Sequence, residues 1–214
     1  MVAEGGTVSD SPRWRRQLQL WLILGVTAVV LAGGFLLMPR DPAGKARLLG
    51  LLGTSNHGRL LSPVAPMADL GVVSMSGAEV DWRSLARRWR VVIAAPMPCE
   101  EDCREALYLT RQVHVRLARN ADRVERVLLA VGAELDSRTA ALIEREHPQL
   151  RVLLVPPERF AAWPGARQVG WTGEQPRVLV VDARGAAMLS FTPAHSGAEL
   201  LEDLNHLLKY SPEP

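Results

Sequence analysis

Cys99 and Cys103 are the only thiols in this 214-residue chain, and they sit in the stretch APMPCEEDCREALYLTRQ over residues 95–112. Two thiols four residues apart can exchange electrons as a disulfide, clamp a soft cation, or staple a loop. Glu100, Glu101 and Asp102 lie between them. Nearby carboxylates disfavour a second anion and so oppose an attacking thiolate, whereas two thiolates in acidic surroundings suit a cation such as copper. The same acids also fit the first turn of a helix, where negative charge is favourable. A disulfide enclosing so short a loop constrains the unfolded chain little, which makes stapling the weakest of the three uses. On a helix the two cysteines share a face with Cα atoms about 6 Å apart, within disulfide range, and Cys103 points partly inward.

The flanking pattern supplies the elements that position this pair. RVVIAA (90–95) is a short apolar run rich in β-branched residues, a buried strand broken by Pro96 and Pro98. A helix is expected over 100–119, with Ala106, Leu109, Val113 and Leu117 as its apolar stripe. VERVLLAVG (124–132) reads as a second strand. SRTAALIEREH (137–147) reads as a helix capped by Ser137, and LRVLLV (150–155) as a third strand. PRVLVVDARGAAMLSF (176–191) reads as two strands joined around Asp182–Gly185, and GAELLEDLNHLLKY closes the chain as an amphipathic helix. The order β-α-β-α-β-β-α predicts an α/β fold, a thioredoxin-like three-layer sandwich with a mainly parallel sheet, over residues 70–210. A cysteine just past a strand and at a helix N-terminus meets a positive dipole end, which favours the thiolate.

Ahead of this domain, LQLWLILGVTAVVLAGGFLLM (18–38) carries no charge in 21 positions. As a helix it reaches about 31 Å, the thickness of a bilayer's hydrocarbon core. A cleaved signal peptide should be shorter and end in small residues. This run exits through Phe35, Leu36, Leu37, Met38 and Pro39, which favours a retained transmembrane helix. Arg13, Arg15 and Arg16 on one side balance Arg40, Lys45 and Arg47 on the other, so loop charge alone does not orient it. A tail of 17 residues (1–17) before a single span suggests a signal-anchor. The expectation is a single-pass protein of the inner (cytoplasmic) membrane, its C-terminal domain on the periplasmic, extracytoplasmic side. Residues 39–69, with Pro39, Pro42, Pro63 and Pro66, read as a tether.

The chain is 48% hydrophobic with a net charge of +2, and its basic residues are scattered arginines with lysine only at 45 and 209. That balance argues against nucleic acid as a partner.

NHGRLLSP (56–63), WRVVIAAPMPCEEDC (89–103), PRVLVVDARGAAML (176–189) and LLEDLNHLLK (200–209) together resemble the Sco/SenC family, over roughly residues 50–210. The resemblance implies a membrane-tethered thioredoxin-like domain that helps deliver copper during cytochrome c oxidase assembly. In that family two cysteines separated by three residues, matching Cys99 and Cys103, bind copper with a distant histidine. This chain departs from the pattern: Glu100 and Arg104 stand where the family has proline after each cysteine, and Glu174 or Gln175 stands in place of the histidine. The resemblance also implies a cis-proline at Pro176, opening a strand opposite the cysteines as the floor for thiol–disulfide exchange.

Other histidines could supply a third ligand. His114 lies about 16 Å along its helix from Cys103, too far for metal bonds of roughly 2.0–2.3 Å. His147 reads as a cationic partner of a helix C-terminus, and His206 as surface or packing. His195 is the best candidate, because a hairpin centred on 183–184 returns it to the same sheet end as Pro176. His57 in the tether is a weaker one, and Met97 could assist Cu(I) with its thioether. The sequence thus predicts catalytic Cys99, Cys103 and Pro176, and a possible copper site of Cys99, Cys103 and His195. The expected function is a membrane-anchored assembly factor for cytochrome c oxidase, delivering copper or reducing a partner's copper-site cysteines. Its partner would be an oxidase subunit or another assembly factor. The alternatives are a general extracytoplasmic thiol–disulfide oxidoreductase and a non-catalytic tethered interaction module.

Overall fold

A computed structural model describes residues 13–37, 56–85, 87–132 and 134–211, in two units, Met1–Thr54 and Ser55–Pro214. In the first unit, α1 (Arg13–Leu37) is a 25-residue helix. Its stretch Gln17–Phe35 is long and apolar enough to cross a membrane, and Trp21, Leu24 and Val29 stand exposed along it. The helix starts five residues earlier than the apolar run, because Arg13 to Gln17 have good helix propensity and no breaker. Residues 1–12 of the expected tail 1–17, the end of the span at Met38 and tether residues 39–55 lie outside the described residues.

The second unit runs β1 (Arg59–Pro66), β2 (Val73–Ser74), β3 (Trp89–Pro96), α2 (Glu101–Arg116), β4 (Val124–Val131), α3 (Ser137–Glu146) and β5 (Arg151–Val155). Short α4 (Pro157–Ala162) and α5 (Pro164–Gln168) follow, then β6 (Arg177–Val181), β7 (Ala186–Phe191) and α6 (Gly197–Tyr210). The sheet order is β1-β7-β6-β3-β4-β5-β2, with β3, β4 and β5 parallel and the other pairs antiparallel. Alternation along the central strands fills two cores. Val91, Ile93 and Ala95 of β3 meet α2, α3 and α6, while Val92 and Ala94 meet Met67, Leu70, Phe160 and Trp163 on the other face. This is the expected thioredoxin-like sandwich, but its sheet is mixed rather than mainly parallel: β1 and β2 add antiparallel edges, and the β6–β7 hairpin pairs antiparallel with β3.

Three parts differ from the sequence expectation. Residues 59–66 are not tether but edge strand β1, whose pairing with β7 is interrupted between Leu60 and Ala65. Asp203, 3% exposed on α6, holds the start of that strand by accepting the backbone N–H of His57 at 3.1 Å and of Gly58 at 2.8 Å. Gly58 lies directly on the ring of Phe191, leaving no room for a Cβ. The cap of α3 is Asp136 rather than Ser137; its carboxylate accepts the Thr139 hydroxyl at 2.5 Å and the Thr139 N–H at 2.9 Å, and those bonds hold it below the usual carboxylate range. Helices α4 and α5 were not expected; each begins on a proline at its first position, where the missing N–H costs nothing.

Candidate redox site

The pair sits where β3 runs into α2, as the strand and helix patterns require. It is joined as a disulfide with Cα atoms 5.3 Å apart. The two cysteines do not share a helical face: Cys99 precedes the N-cap Glu100, whose backbone is extended, and Cys103 is the third residue of α2. Glu100 makes no side-chain cap bond, so the covalent link itself ties the start of the helix. Both residues are enclosed, Cys99 at 6% and Cys103 at 2% exposure.

The two residues open onto different clefts. Cys103 lines a cavity of about 460 Å³ with Glu100, Glu101, Asp102, Glu174 and Pro176. Cys99 lines one of about 340 Å³ with Arg104, Arg138, Thr139 and Arg145. Arg104 Nη2 donates to Glu101 at 2.6 Å and Arg145 Nη2 to Glu146 at 2.6 Å. With Arg104 and Arg145 already paired to Glu101 and Glu146, Arg138 and the helix N-terminus are what favour a thiolate on the Cys99 side, while Glu100, Asp102 and Glu174 oppose one on the Cys103 side. Arg138 and Arg145 come from α3, seven residues apart and so on one face of it, a spacing legible in SRTAALIERE.

Pro176 is buried and lines the cavity with Cys103, and its bond is trans rather than the cis bond that the resemblance implies. Among the described residues the cis bonds are Ser62–Pro63 and Met97–Pro98. Met97 lines the Cys103 cavity, its N–H donates to Val131 O at 3.1 Å, and it packs against the core. The loop carrying Glu174 and Pro176 is pinned by Arg177, 8% exposed, a residue the sequence reading missed. Its Nε, Nη1 and Nη2 donate to the carbonyls of Val169, Pro176 and Gly170 at 3.1, 2.9 and 3.0 Å. Burial lowers its pKa from the ordinary value. An arginine opening an apolar strand in PRVLVV is the sequence signal for it.

Glu174, one of the two residues that the resemblance sets in place of a histidine, lines the cavity with Cys103. His195 shares a small cavity with Pro176 and Asp102, so the hairpin brings it to the expected end of the sheet, but neither cysteine lines that cavity. Its Nδ1 accepts the Thr192 N–H at 3.1 Å, and its ring stands edge-on to Phe191. His57 is held on α6 by Glu202 at 3.2 Å. His206 is exposed with its ring against Tyr210. His147 is 4% exposed; burial, then Arg126 and Arg111, push its pKa below the ordinary value, so it is neutral at pH 7 and no cationic helix partner. Among the described residues no three His, Cys, Asp or Glu side chains converge on a point that could hold a metal. The set Cys99, Cys103 and His195 is not assembled, and the oxidised sulfurs offer no thiolate ligands. In this oxidised arrangement the described residues do not form a copper centre.

The fold is similar to that of several solved structures. ScoI of Arabidopsis thaliana with copper bound matches at 15% identity and TM-score 0.53, covering 65% of this chain and 96% of that one. Apo Sco1 of Thermus thermophilus matches at 20% identity and TM-score 0.55, covering 72% and 97%. A DsbF homologue from Corynebacterium diphtheriae matches at 16% identity and TM-score 0.50, covering 72% and 94%. At such identities the likeness is one of fold. No curated protein matches the sequence. Residues 89–211, from the start of β3 through the disulfide to the end of α6, match the sequence model described as "transmembrane-like, thioredoxin-like, C-terminal domain", and the chain belongs to that family.

Proposed function

We propose that this chain is a membrane-anchored thiol–disulfide exchange protein that uses Cys99 and Cys103 to reduce a cysteine pair on a partner, as a step in assembling a copper-containing respiratory oxidase. The observation that carries the reading is the disulfide at the β3–α2 junction, with Cys99 on an arginine-lined cleft and Cys103 on an acidic one. In the reduced form the Cys99 thiolate attacks a partner disulfide, forming a mixed disulfide and releasing one partner thiolate. Cys103, as thiolate, then attacks the Cys99 sulfur, releasing the second partner thiolate and forming the disulfide seen here. Two electrons pass from this pair to the partner, and a dithiol donor restores the reduced form. The membrane anchor is α1, with the domain on the extracytoplasmic side. The oxidase is suggested by the Sco/SenC resemblance.

The test is a trap. Cys103→Ser leaves the attacking thiol without its resolving partner and should accumulate a mixed disulfide in cells, whereas Cys99→Ser should accumulate none. An equal yield from both variants overturns the assignment, and a pair that fails to titrate as a two-electron couple overturns the exchange reading. Copper carried as cargo by the reduced thiolates is the second reading, favoured by the copper bound in the Arabidopsis structure. It requires Cu(I) binding to the reduced chain that Cys99→Ser removes.

A further inference from the structure

At the end of the sheet opposite the disulfide, about 23 Å along the strands, the protein buries a guanidinium that no carboxylate binds directly among the described residues. A cleft of about 530 Å³ opens there between the end of α2, the start of β4 and the end of α3. Arg126 reaches it from β4, 6% exposed, on the same strand face as Val124 and Leu128. Its Nη2 donates to Leu107 O at 2.7 Å and Thr110 Oγ1 at 3.0 Å, while its Nε is buried with no hydrogen-bond partner. Buried His147, in the same wall, has its Nδ1 equally unpartnered.

Arg88 and Arg111 also line the cleft, both exposed, and His114 is tied there through Nε2 to Val124 O at 2.9 Å. Three carboxylates border it. Glu125 is taken by Arg90 at 2.9 Å and Arg151 at 2.6 Å, and Glu146 by Arg145. That leaves Asp122, exposed on the rim. Burial, then Arg111, lower the Arg126 pKa to about 10, with no carboxylate acting in the other direction. Arg126 is thus a cation at neutral pH, enclosed and unpaired, an arrangement that proteins seldom keep without a use.

We propose that this cleft binds a phosphate-type oxyanion, held by the guanidinium groups of Arg126 and Arg111 beside His147. A guanidinium fork matches the oxygens of phosphate, and a bound anion supplies the charge that the protein withholds. The group could belong to a soluble phosphate compound or to an anionic lipid headgroup, and the chemistry of recognition is the same. The site is independent of the cysteine chemistry.

The test uses the full chain in neutral detergent micelles, with isotope-labelled histidine, titrated with inorganic phosphate at constant ionic strength. The ring titration midpoint of His147 should move upward on saturation while that of His206 stays put. Arg111→Gln should weaken the response at least tenfold, Arg126→Met should abolish it, and Arg167→Gln, a charge removed elsewhere, should leave it unchanged. If Arg126→Met does not fold, Arg111→Gln, an exposed position, decides alone. In a second arm the chain is reconstituted in phosphatidylcholine vesicles with and without phosphatidylglycerol. A response to inorganic phosphate points to a soluble ligand, and a response only to phosphatidylglycerol points to a headgroup; both support the site. No saturable shift below about 10 mM phosphate and none with phosphatidylglycerol, or a shift that survives Arg111→Gln, overturns it.

Discussion

Replacing Arg177 by methionine tests whether the loop beside Cys103 is held by one side chain. The guanidinium serves three carbonyls, those of Val169, Gly170 and Pro176, at 2.9 to 3.1 Å. Each is a charge-assisted bond worth roughly 1.5–3 kcal/mol when a partner is removed. Removing the cation also relieves the cost of enclosing it, so the net loss should be about 2–4 kcal/mol, below the sum of three bonds. For a domain of this size each kcal/mol moves the melting temperature by about 2–4 °C, which places the expected fall near 4–16 °C. Lysine retains the charge but reaches one point instead of a fork, so Arg177→Lys should recover little. Calorimetry measures the stability, and the rate of disulfide exchange with a small aromatic disulfide measures the site. Because Glu174 and Pro176 line the cavity beside Cys103, the variant should also expose Cys103 and change that rate. A melting temperature within a degree of the parent, or a large fall with an unchanged exchange rate, refutes the reasoning.

Further expectations concern single groups. His147 is neutral when folded, with a pKa below its ordinary value near 6.5, so the unfolded chain binds the extra proton. Its contribution is full above pH 6.5 and is lost as pH falls from there towards the lowered value; His147→Asn should flatten that slope in denaturant titrations. Asp136→Ala should cost about 1 kcal/mol by removing the α3 cap, whereas Ser137→Ala should cost nearly nothing, as read from the denaturation midpoint. Gly58→Ala drives a methyl into the Phe191 ring and should lower stability by about 1–3 kcal/mol, with hydrogen exchange rising first along β1.

The strand–helix junction at the cysteines was legible because RVVIAA is an unbroken apolar run followed by helical spacing, but the stripe was misplaced: α2 buries Cys103, Leu107, Thr110 and Val113, and Ala106 and Leu109 lie at its margin. β1 was hidden because Pro63 and Pro66 in LLSPVAP read as breakers. An edge strand tolerates them, since one of its sides has no ladder to complete. β2 is two residues long and carries no period at all. Charges buried by pairing across space escaped for a different reason: Arg90 and Glu125 are register neighbours on β3 and β4, 35 positions apart in sequence. The separation of the two clefts also depends on α3 lying against Cys99, a tertiary fact that Arg138 and Arg145 only hint at. The cis bonds fell at Ser62–Pro63 and Met97–Pro98 rather than at Pro176, and the sequence contains prolines at all three places without distinguishing them.

Because Glu100 caps α2 with no side chain, the first turn of that helix is fastened by a bond that electrons can open. Order at this terminus and reduction potential are then two readings of one equilibrium. A residue at position 100 whose side chain caps the helix only after the sulfurs part would favour the reduced form. About 1 kcal/mol of such capping corresponds to an upward shift of roughly 20 mV. The poise of the couple can therefore be tuned by an ordinary surface substitution that never touches sulfur.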